Sequence, residues 1–488
     1  MPYKQGDVIM RNKPWVYVLD EKHASSYCHY CFRRPIEGES TPLKRCTQCQ
    51  FAQFCDQKCA KAAWKDHKTE CKRLLLGRKQ GAEVPEANIR LLARIISKVS
   101  RGERSDPPDA CWPSCDRTYD SLCTHADKIQ SSILQITAFT MTIEKLVAFL
   151  GQENMPDDKE TIKDAYSKLI VNAMTLYDGA RPYGIGAALP LGATRFDHAC
   201  KPNADYMICT TNGCEIVIRA LEDIASIEDV RICYCNCMDM TRQRQTLLQE
   251  HYYFLCQCEY CLDEHRDNMM RSVRCPQAFC DGAIPMTEIF TPKPCTKCGH
   301  LIPKNDPFVK KSIDLMSKVK DSVDAYTALF EDTGNSTADQ RQLSSARNDL
   351  SLLYTTAKKT LFPLNIFYVK LIVHLTDQET EQGWKLYLEE TNAYRYYHGF
   401  SSFLGIRLVL QGGYQVGARK FEEAKKSLEE AERILTVTHG IDHPVFKDML
   451  TVRRCADLQD IVWNVARFIS PRKTKSPSFP SFLPKFLV

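Results

Sequence analysis

Between Cys28 and Cys71 the chain sets eight residues able to bind a metal at paired spacings: Cys28-x2-Cys31, Cys46-x2-Cys49, Cys55-x3-Cys59 and His67-x3-Cys71. Eight such ligands make two tetrahedral zinc sites, and a segment this short needs the coordination energy because it cannot bury enough apolar surface to fold alone. The alternation of pairs implies interleaved sites, Cys28, Cys31, Cys55 and Cys59 on one metal and Cys46, Cys49, His67 and Cys71 on the other. His67 and Cys71 share one face of a helix. Further on, Cys256, Cys258 and Cys261 supply three thiolates and leave one tetrahedral vertex empty; Cys200 is the best candidate for it. A last group, Cys275-x4-Cys280 and Cys295-x2-Cys298, each pair with a glycine nearby (Gly282, Gly299), suits a zinc ribbon, the alternative being free thiols in a loop. A disulfide framework also uses even numbers of cysteines. It is disfavoured because no signal peptide opens the chain and a 488-residue protein builds a core without staples.

Length and composition bound what these clusters serve. The length fits two to four domains, and 44% hydrophobic with 26% charged residues is ordinary for a globular protein. No uninterrupted apolar run reaches the ~18 residues of a membrane helix; the nearest, 364–375, is broken by Lys370 and follows Pro363. The expectation is a soluble monomer of a reducing compartment, cytoplasmic and nuclear, in which the 24 cysteines meet metal as thiolates. Net charge is +5, and Lys61, Lys65, Lys68, Lys72, Arg73, Arg78 and Lys79 concentrate positive charge just after the first ligands. That run is either a patch for nucleic acid or an acidic partner, or a solvated helix face. The nine cysteines outside the clusters read as buried thiols. Three of them, Cys233, Cys235 and Cys237, alternate along an expected strand and receive no role.

The elements that must position these ligands follow from periodicity. Residues 4–19 have the β-branched and aromatic content of two short strands, with Gly6-Asp7 as a turn and Pro14 between them. Helical spacing runs through 87–99 and resumes over 130–180. From Gly184 short strands return around an Asn212-Gly213 hairpin signal. The ligand-rich segment therefore reads as an insertion into a β-rich unit. From Asp306-Pro307, a helix cap and first turn, the pattern is wholly helical; Val309, Ile313, Met316, Val323, Tyr326 and Phe330 form one apolar stripe, and Phe421, Ala424, Leu428, Ala431 and Leu435 form another. The second is similar to a tetratricopeptide unit. The end, rich in Ser and Pro with "PRKTK", reads as a disordered tail carrying a weak nuclear address.

With Trp64 inside "AAWKDHKTEC", the first cluster resembles the MYND zinc finger. "FDHACKPN" resembles the Asn-His-Ser-Cys-x-Pro-Asn box of SET domains, "VRICY" the strand ending in their active-site tyrosine, and "CQCEYC" their post-SET zinc triad. The layout resembles the SMYD family of protein-lysine methyltransferases from about Lys4 to His443. The resemblance implies an α+β fold: 1–27, N-terminal part of a split SET domain; 28–71, MYND finger; 72–183, helical insertion; 184–255, SET core; 256–304, post-SET zinc site and ribbon; 305–465, tetratricopeptide-like helices; 466–488, tail. It implies zinc at three sites, or four with the ribbon, and S-adenosylmethionine as cofactor. It further implies a protein or peptide lysine substrate, histone or other, and a proline-rich peptide or DNA as a further partner of the finger. Tyr234 and Tyr252 become the catalytic residues, with Phe254 beside Tyr252 in the channel wall, and Asn172, Asp197, His198 and Phe254 hold the cofactor.

Two departures bear on activity. Asp197 stands where the family has asparagine, so an acceptor-only carboxylate replaces an amide donor, and Ala199 replaces serine. The family's N-terminal Gly-x-Gly segment, whose backbone approaches the cofactor, has no match before "KQGDVIMRNKP", and Ile227-Glu228-Asp229 replaces Gly-Glu-Glu. The expectation is a methyltransferase with weakened cofactor binding or a chain with a shortened start. The alternative is a catalytically impaired, zinc-stabilised interaction module acting in transcription or chromatin regulation.

Overall fold

Two short strands open the chain, β1 (Val8–Asn12) and β2 (Val16–Leu19), separated at Pro14 because proline has no N–H for a ladder. The computed structural model describes residues 2–35, 42–109, 111–177, 184–210, 213–332, 337–376 and 381–469. Ile9, Met10, Val16, Val18 and Leu19 are all buried, so both strands await partners from elsewhere.

The finger follows: a two-residue hairpin, β3 (Lys44–Arg45) and β4 (Gln53–Phe54), then α1 (Gln57–Lys79), which starts where the Asp56 side chain accepts the Cys59 N–H at 2.9 Å. His67, Glu70, Cys71 and Leu74 are its buried residues, the 3-and-4 spacing of one face. The next helix, α2 (Ala87–Ser100), lays Ile89, Leu92, Ile95 and Ile96 into the core and packs on β2. Glu70 joins finger and scaffold: its buried carboxylate meets Arg90 (Nη1 at 3.3 Å) and Arg94. Arg90 also donates to the Leu19 carbonyl, and Arg94 to that of Tyr17 at 2.6 Å. Burial works to raise the Glu70 carboxyl, but the facing Arg94 and Arg90 outweigh it and hold the group down at about 2. Glu70→Gln strands two guanidiniums, one wholly buried, and is expected to cost about 3–5 kcal/mol in a denaturant titration. A carboxyl depressed on folding stabilises above its unfolded value, so this contribution is complete above about pH 4.5 and vanishes as pH falls through about 2.

Helices α4 (Ile133–Leu150) and α5 (Lys159–Asn172) cover α2, and α3 (Ala126–Ser131) packs against both of them. The expected helical run to 180 ends at Asn172, and a strand follows. Helix α4 also takes the place of 364–375 as the nearest candidate for a membrane-length apolar segment, since its 18 residues have a mean hydropathy of 1.5. By length and composition it is the one helix among the described residues able to cross a membrane. It buries Leu146 and Leu150, and exposes Ile133, Leu134 and Met141.

The strand unit then closes. β5 (Met174–Tyr177) and β6 (Gly184–Leu189) pair antiparallel, and β2 joins β6 on its other side in the register Val16↔Leu189 to Leu19↔Gly186. A side chain at Gly186 would collide with the Val18 carbonyl, so only glycine permits this pairing. β7 (Asp197–His198) precedes β8 (Ala204–Cys209) and β9 (Glu215–Ala220), which pair antiparallel, and β1 completes that sheet against β9. Of the hairpin signal, Asn212 lies outside the described residues. Finally β10 (Arg231–Ile232) runs parallel to β7. Both N-terminal strands thus pair only with strands beyond the finger, the insertion expected from the sequence. The strand expected through "VRICY" stops at Ile232: residues 233–237 form an irregular loop, so Cys233, Cys235 and Cys237 do not share a strand face.

Helices α6 (Thr241–His251), α7 (Glu259–Leu262) and α8 (Glu264–Met270) lead to a small ribbon, β11 (Val273–Arg274) with β12 (Ala283–Ile284). Among the described residues seven helices follow: α9 (Pro307–Asp332), α10 (Thr337–Thr360), α11 (Ile366–Leu375), α12 (Glu381–His398), α13 (Ser402–Gly417), α14 (Phe421–Thr438) and α15 (Pro444–Ile469), each packed on the next. The stripe on α14 is buried throughout; of that expected in α9, Val309, Met316, Val323 and Tyr326 are buried, joined by Leu315 and Val319, while Phe330 is 63% exposed. Cβ positions built on Gly412 and Gly405 would lie 2.5 Å from Leu428 and 2.8 Å from Leu435, so the two helices touch backbone to side chain. Residues 466–469, expected in the tail, are the last turn of α15; the rest of the tail, with "PRKTK", lies outside the described residues.

Candidate metal centres and tyrosine cavity

Each of the four ligand sets read from the sequence converges to one point: Cys28/Cys31/Cys55/Cys59, Cys46/Cys49/His67/Cys71, Cys200/Cys256/Cys258/Cys261 and Cys275/Cys280/Cys295/Cys298, with donor atoms within 4.8 Å of one another. Sulfur pairs lie 3.6 Å apart across all four sets, close to the about 3.8 Å edge of a tetrahedron with Zn–S bonds of about 2.3 Å. The residues therefore fit zinc. The backbone is shaped for it as well. Phe32, Gln50 and Gly299, each following the second cysteine of a Cys-x2-Cys pair, are left-handed (φ 59°, 61° and 72°). Their N–H groups return to the carbonyls of Cys28, Cys46 and Cys295 at 2.9–3.0 Å. A left-handed non-glycine residue costs on the order of 1 kcal/mol, a strain that persists only where the surroundings fix it. Elemental analysis of purified protein is expected to return four zinc ions per chain; three would remove the ribbon from the set.

The third centre is tied to the tyrosine expected to be catalytic. His198 Nδ1 accepts the Tyr234 backbone N–H at 2.9 Å, so in the neutral ring Nε2 carries the proton and points at Cys200 Sγ, 3.2 Å away. Arg244, almost wholly buried, donates to the same sulfur from Nε at 3.2 Å and reaches Cys261 Sγ at 3.7 Å. Four thiolates around Zn²⁺ leave two negative charges, and this guanidinium offsets one of them. Outer partners of this kind orient metal ligands and tune their basicity. The imidazole is thereby a rigid spacer between metal and Tyr234.

Tyr234 lines a cavity of about 660 Å³. Its ring lies 4.9 Å from that of Tyr252, and Tyr177 and Tyr206 face the same space at 6.3 Å from each other. Burial, then the Asp197 charge, pushes the Tyr234 phenol up; burial does the same for Tyr177, Tyr206 and Tyr252, so all four stay protonated at neutral pH. The Tyr234 hydroxyl donates a hydrogen bond to the Phe196 carbonyl at 2.5 Å, which leaves its oxygen lone pairs as acceptors. The helical unit closes the opposite side with Tyr394, His398, Phe400 and Phe403. It is fastened there by the Ser402 N–H on the Asp205 carboxylate (3.2 Å) and by His443 against the Ile208 carbonyl (3.3 Å).

Of the residues read from the sequence, Tyr234 and Tyr252 line the cavity, while Asn172, Asp197, His198 and Phe254 do not. Phe254 was expected in the channel wall. Instead Tyr253 turns left-handed (φ 63°), leaving Tyr252 on the cavity and Phe254 against His198 at 6.0 Å. Asn172 spends both amide hydrogens locally, on the carbonyls of Cys123 and Lys168 at 2.8 Å each. Asp197 is exposed. Tyr177, Tyr206 and the α12–α13 wall had no local signature; only the pairing of β5 with distant strands and the docking of the helices bring them in.

Similarity to known proteins agrees with this geometry. Residues 28–71 match the MYND finger family. Over 462 residues the chain is 24% identical to the human "Histone-lysine N-methyltransferase SMYD1", covering 92% of this chain and 84% of that protein. It is 26% identical over 463 residues to the Arabidopsis thaliana "Histone-lysine N-methyltransferase ASHR1", covering 92% and 90%. Over 268 residues it is 28% identical to the Caenorhabditis elegans "SET domain-containing protein 14", about half of each chain (54% and 56%). A split β unit carrying a MYND finger, a thiolate centre behind a tyrosine cavity and a helical C-terminal half define the class. Over most of its length the chain is similar to proteins of the SMYD family of SET and MYND domain proteins, and residues 28–71 match their finger.

Proposed function

We propose that this protein is an S-adenosylmethionine-dependent protein-lysine N-methyltransferase acting on histone or other protein substrates, with weakened affinity for its cofactor. The observation that carries the reading is the cavity: two tyrosine rings 4.9 Å apart, one hydroxyl with its lone pairs free, anchored through His198 to a thiolate centre. Lysine is charged in water, and burial in an aromatic channel lowers its pKa toward the neutral amine that attacks. The π faces hold the cationic form on entry. Alignment of the amine by Tyr234 and Tyr252 then supplies much of the acceleration. S-adenosylmethionine, when bound, supplies an electrophilic methyl group.

The weakened affinity rests on Asn172 and Asp197. Asn172 has no amide hydrogen left to donate, and the exposed Asp197 carboxylate attracts the cofactor's ammonium but repels its carboxylate. Calorimetric titration with S-adenosylmethionine is expected to give a dissociation constant at least about tenfold above that of an intact relative measured alongside, about 1.4 kcal/mol, and Asp197→Asn to recover part of it. Equal affinity overturns the weakened reading. No heat from this protein or its Asp197→Asn variant, with the relative still binding, favours the second reading, an interaction module in chromatin regulation whose committed Asn172 marks the lost pocket.

A further inference from the structure

We infer that Cys233 and Cys237 form a dithiol modification site in the wall of the tyrosine cavity, oxidised to a disulfide by hydroperoxide-class oxidants. Neither thiol belongs to any of the four metal tetrads, yet their sulfurs lie 3.4 Å apart, and both residues line the cavity. The pair is also held facing itself. Cys233 Sγ donates to the Cys235 carbonyl at 3.0 Å and Cys237 Sγ to the Cys200 carbonyl at 3.2 Å. A disulfide needs sulfurs about 2.05 Å apart, and the irregular loop 233–237 supplies the remaining approach without breaking a helix or strand ladder.

Cys233 is half-buried and Cys237 buried, so of the two Cys233 is the one an oxidant reaches first. Hydrogen peroxide transfers one oxygen to the Cys233 thiol, giving the sulfenic acid and water. The Cys237 thiol then attacks that sulfur and expels a second water as the S–S bond forms. Two thiols are oxidised, one peroxide is reduced, and no other reactant is needed. Cys235 interacts with the Cys233 thiol as well, but it is drawn the other way, into a group with His198 and Cys200, its sulfur 4.0 Å from His198 Nε2, which makes Cys237 the resolving partner.

The consequence rests on the proposed function. The bond closes a ring around Tyr234, whose N–H anchors it to His198, and so displaces that tyrosine from the line of attack. A displacement of about 1 Å at such a position costs up to about 100-fold in rate.

The test treats zinc-loaded full-length protein with hydrogen peroxide and maps peptides without reduction. A Cys233–Cys237 linkage with all zinc retained is expected, reversed by dithiothreitol, with methyl transfer falling and recovering in step. Cys237→Ser is expected to stop at the Cys233 sulfenic acid, captured by dimedone. Zinc release ahead of any linkage, or linkage through Cys235 or Cys200, overturns the site. An oxidised chain that keeps its transfer rate overturns the switch. A chain inactive in both states yet carrying the linkage overturns the function proposed above and upholds the dithiol.

Discussion

Tyr234→Phe is expected to lower kcat for lysine methylation by about 10²–10³-fold, the range found when one positioned polar group is removed from a reaction centre, while KM for the peptide moves little. The ring keeps its packing on Tyr252 and His198, so the substitution deletes only the hydroxyl. The Phe196 carbonyl accepts the hydroxyl's hydrogen bond in the resting structure, so the oxygen lone pairs are what an incoming amine loses in the variant. Removing that one hydrogen bond costs about 1 kcal/mol of stability. A Tm close to the parent's with collapsed turnover separates catalysis from folding. Equal loss of Tm and turnover would make Tyr234 a packing residue.

Cys200→Ser is expected to remove both a zinc ion and the activity. Cys200 is fully buried and comes from a loop far upstream of Cys256, Cys258 and Cys261, so its sulfur is what draws the cavity wall against the post-SET segment. Structural zinc contributes on the order of 10 kcal/mol to folding at such sites, comparable to the whole stability of an ordinary domain. In the variant, His198 and Arg244 lose the sulfur on which both converge. Metal analysis should return three zinc ions, and hydrogen exchange should show the loop around Tyr234 opening. The matching change in the ribbon, Cys298→Ser, also removes one zinc but leaves the tyrosine cavity standing, because none of the ribbon's four cysteines lines it.

The metal chemistry was legible in the sequence because ligand spacing is a local property that metal geometry imposes. All sixteen residues read as ligands fall into the four expected sets. Tyr234 and Tyr252 were legible only through neighbouring motifs, since nothing local distinguishes a lining tyrosine from a packed one. The fate of the cofactor residues was not legible. Whether the Asn172 amide is free depends on the Cys123 carbonyl, 49 positions away in sequence. The extended reading of 233–237 failed because alternating cysteines mimic a strand, while the pull of Cys200 and Cys237 on one another sets the loop. The α4 helix itself was legible, but its membrane-length apolar stretch was not, because Glu144 and Lys145 interrupt the run.

The most direct test of the account is transfer of radiolabelled methyl groups from S-adenosylmethionine to histones and to cell-extract proteins, comparing the parent with Tyr234→Phe. The account expects label on lysine with the parent and at least about a hundredfold less with the variant. Label of equal strength from both proteins, or none from either at saturating cofactor, would contradict it.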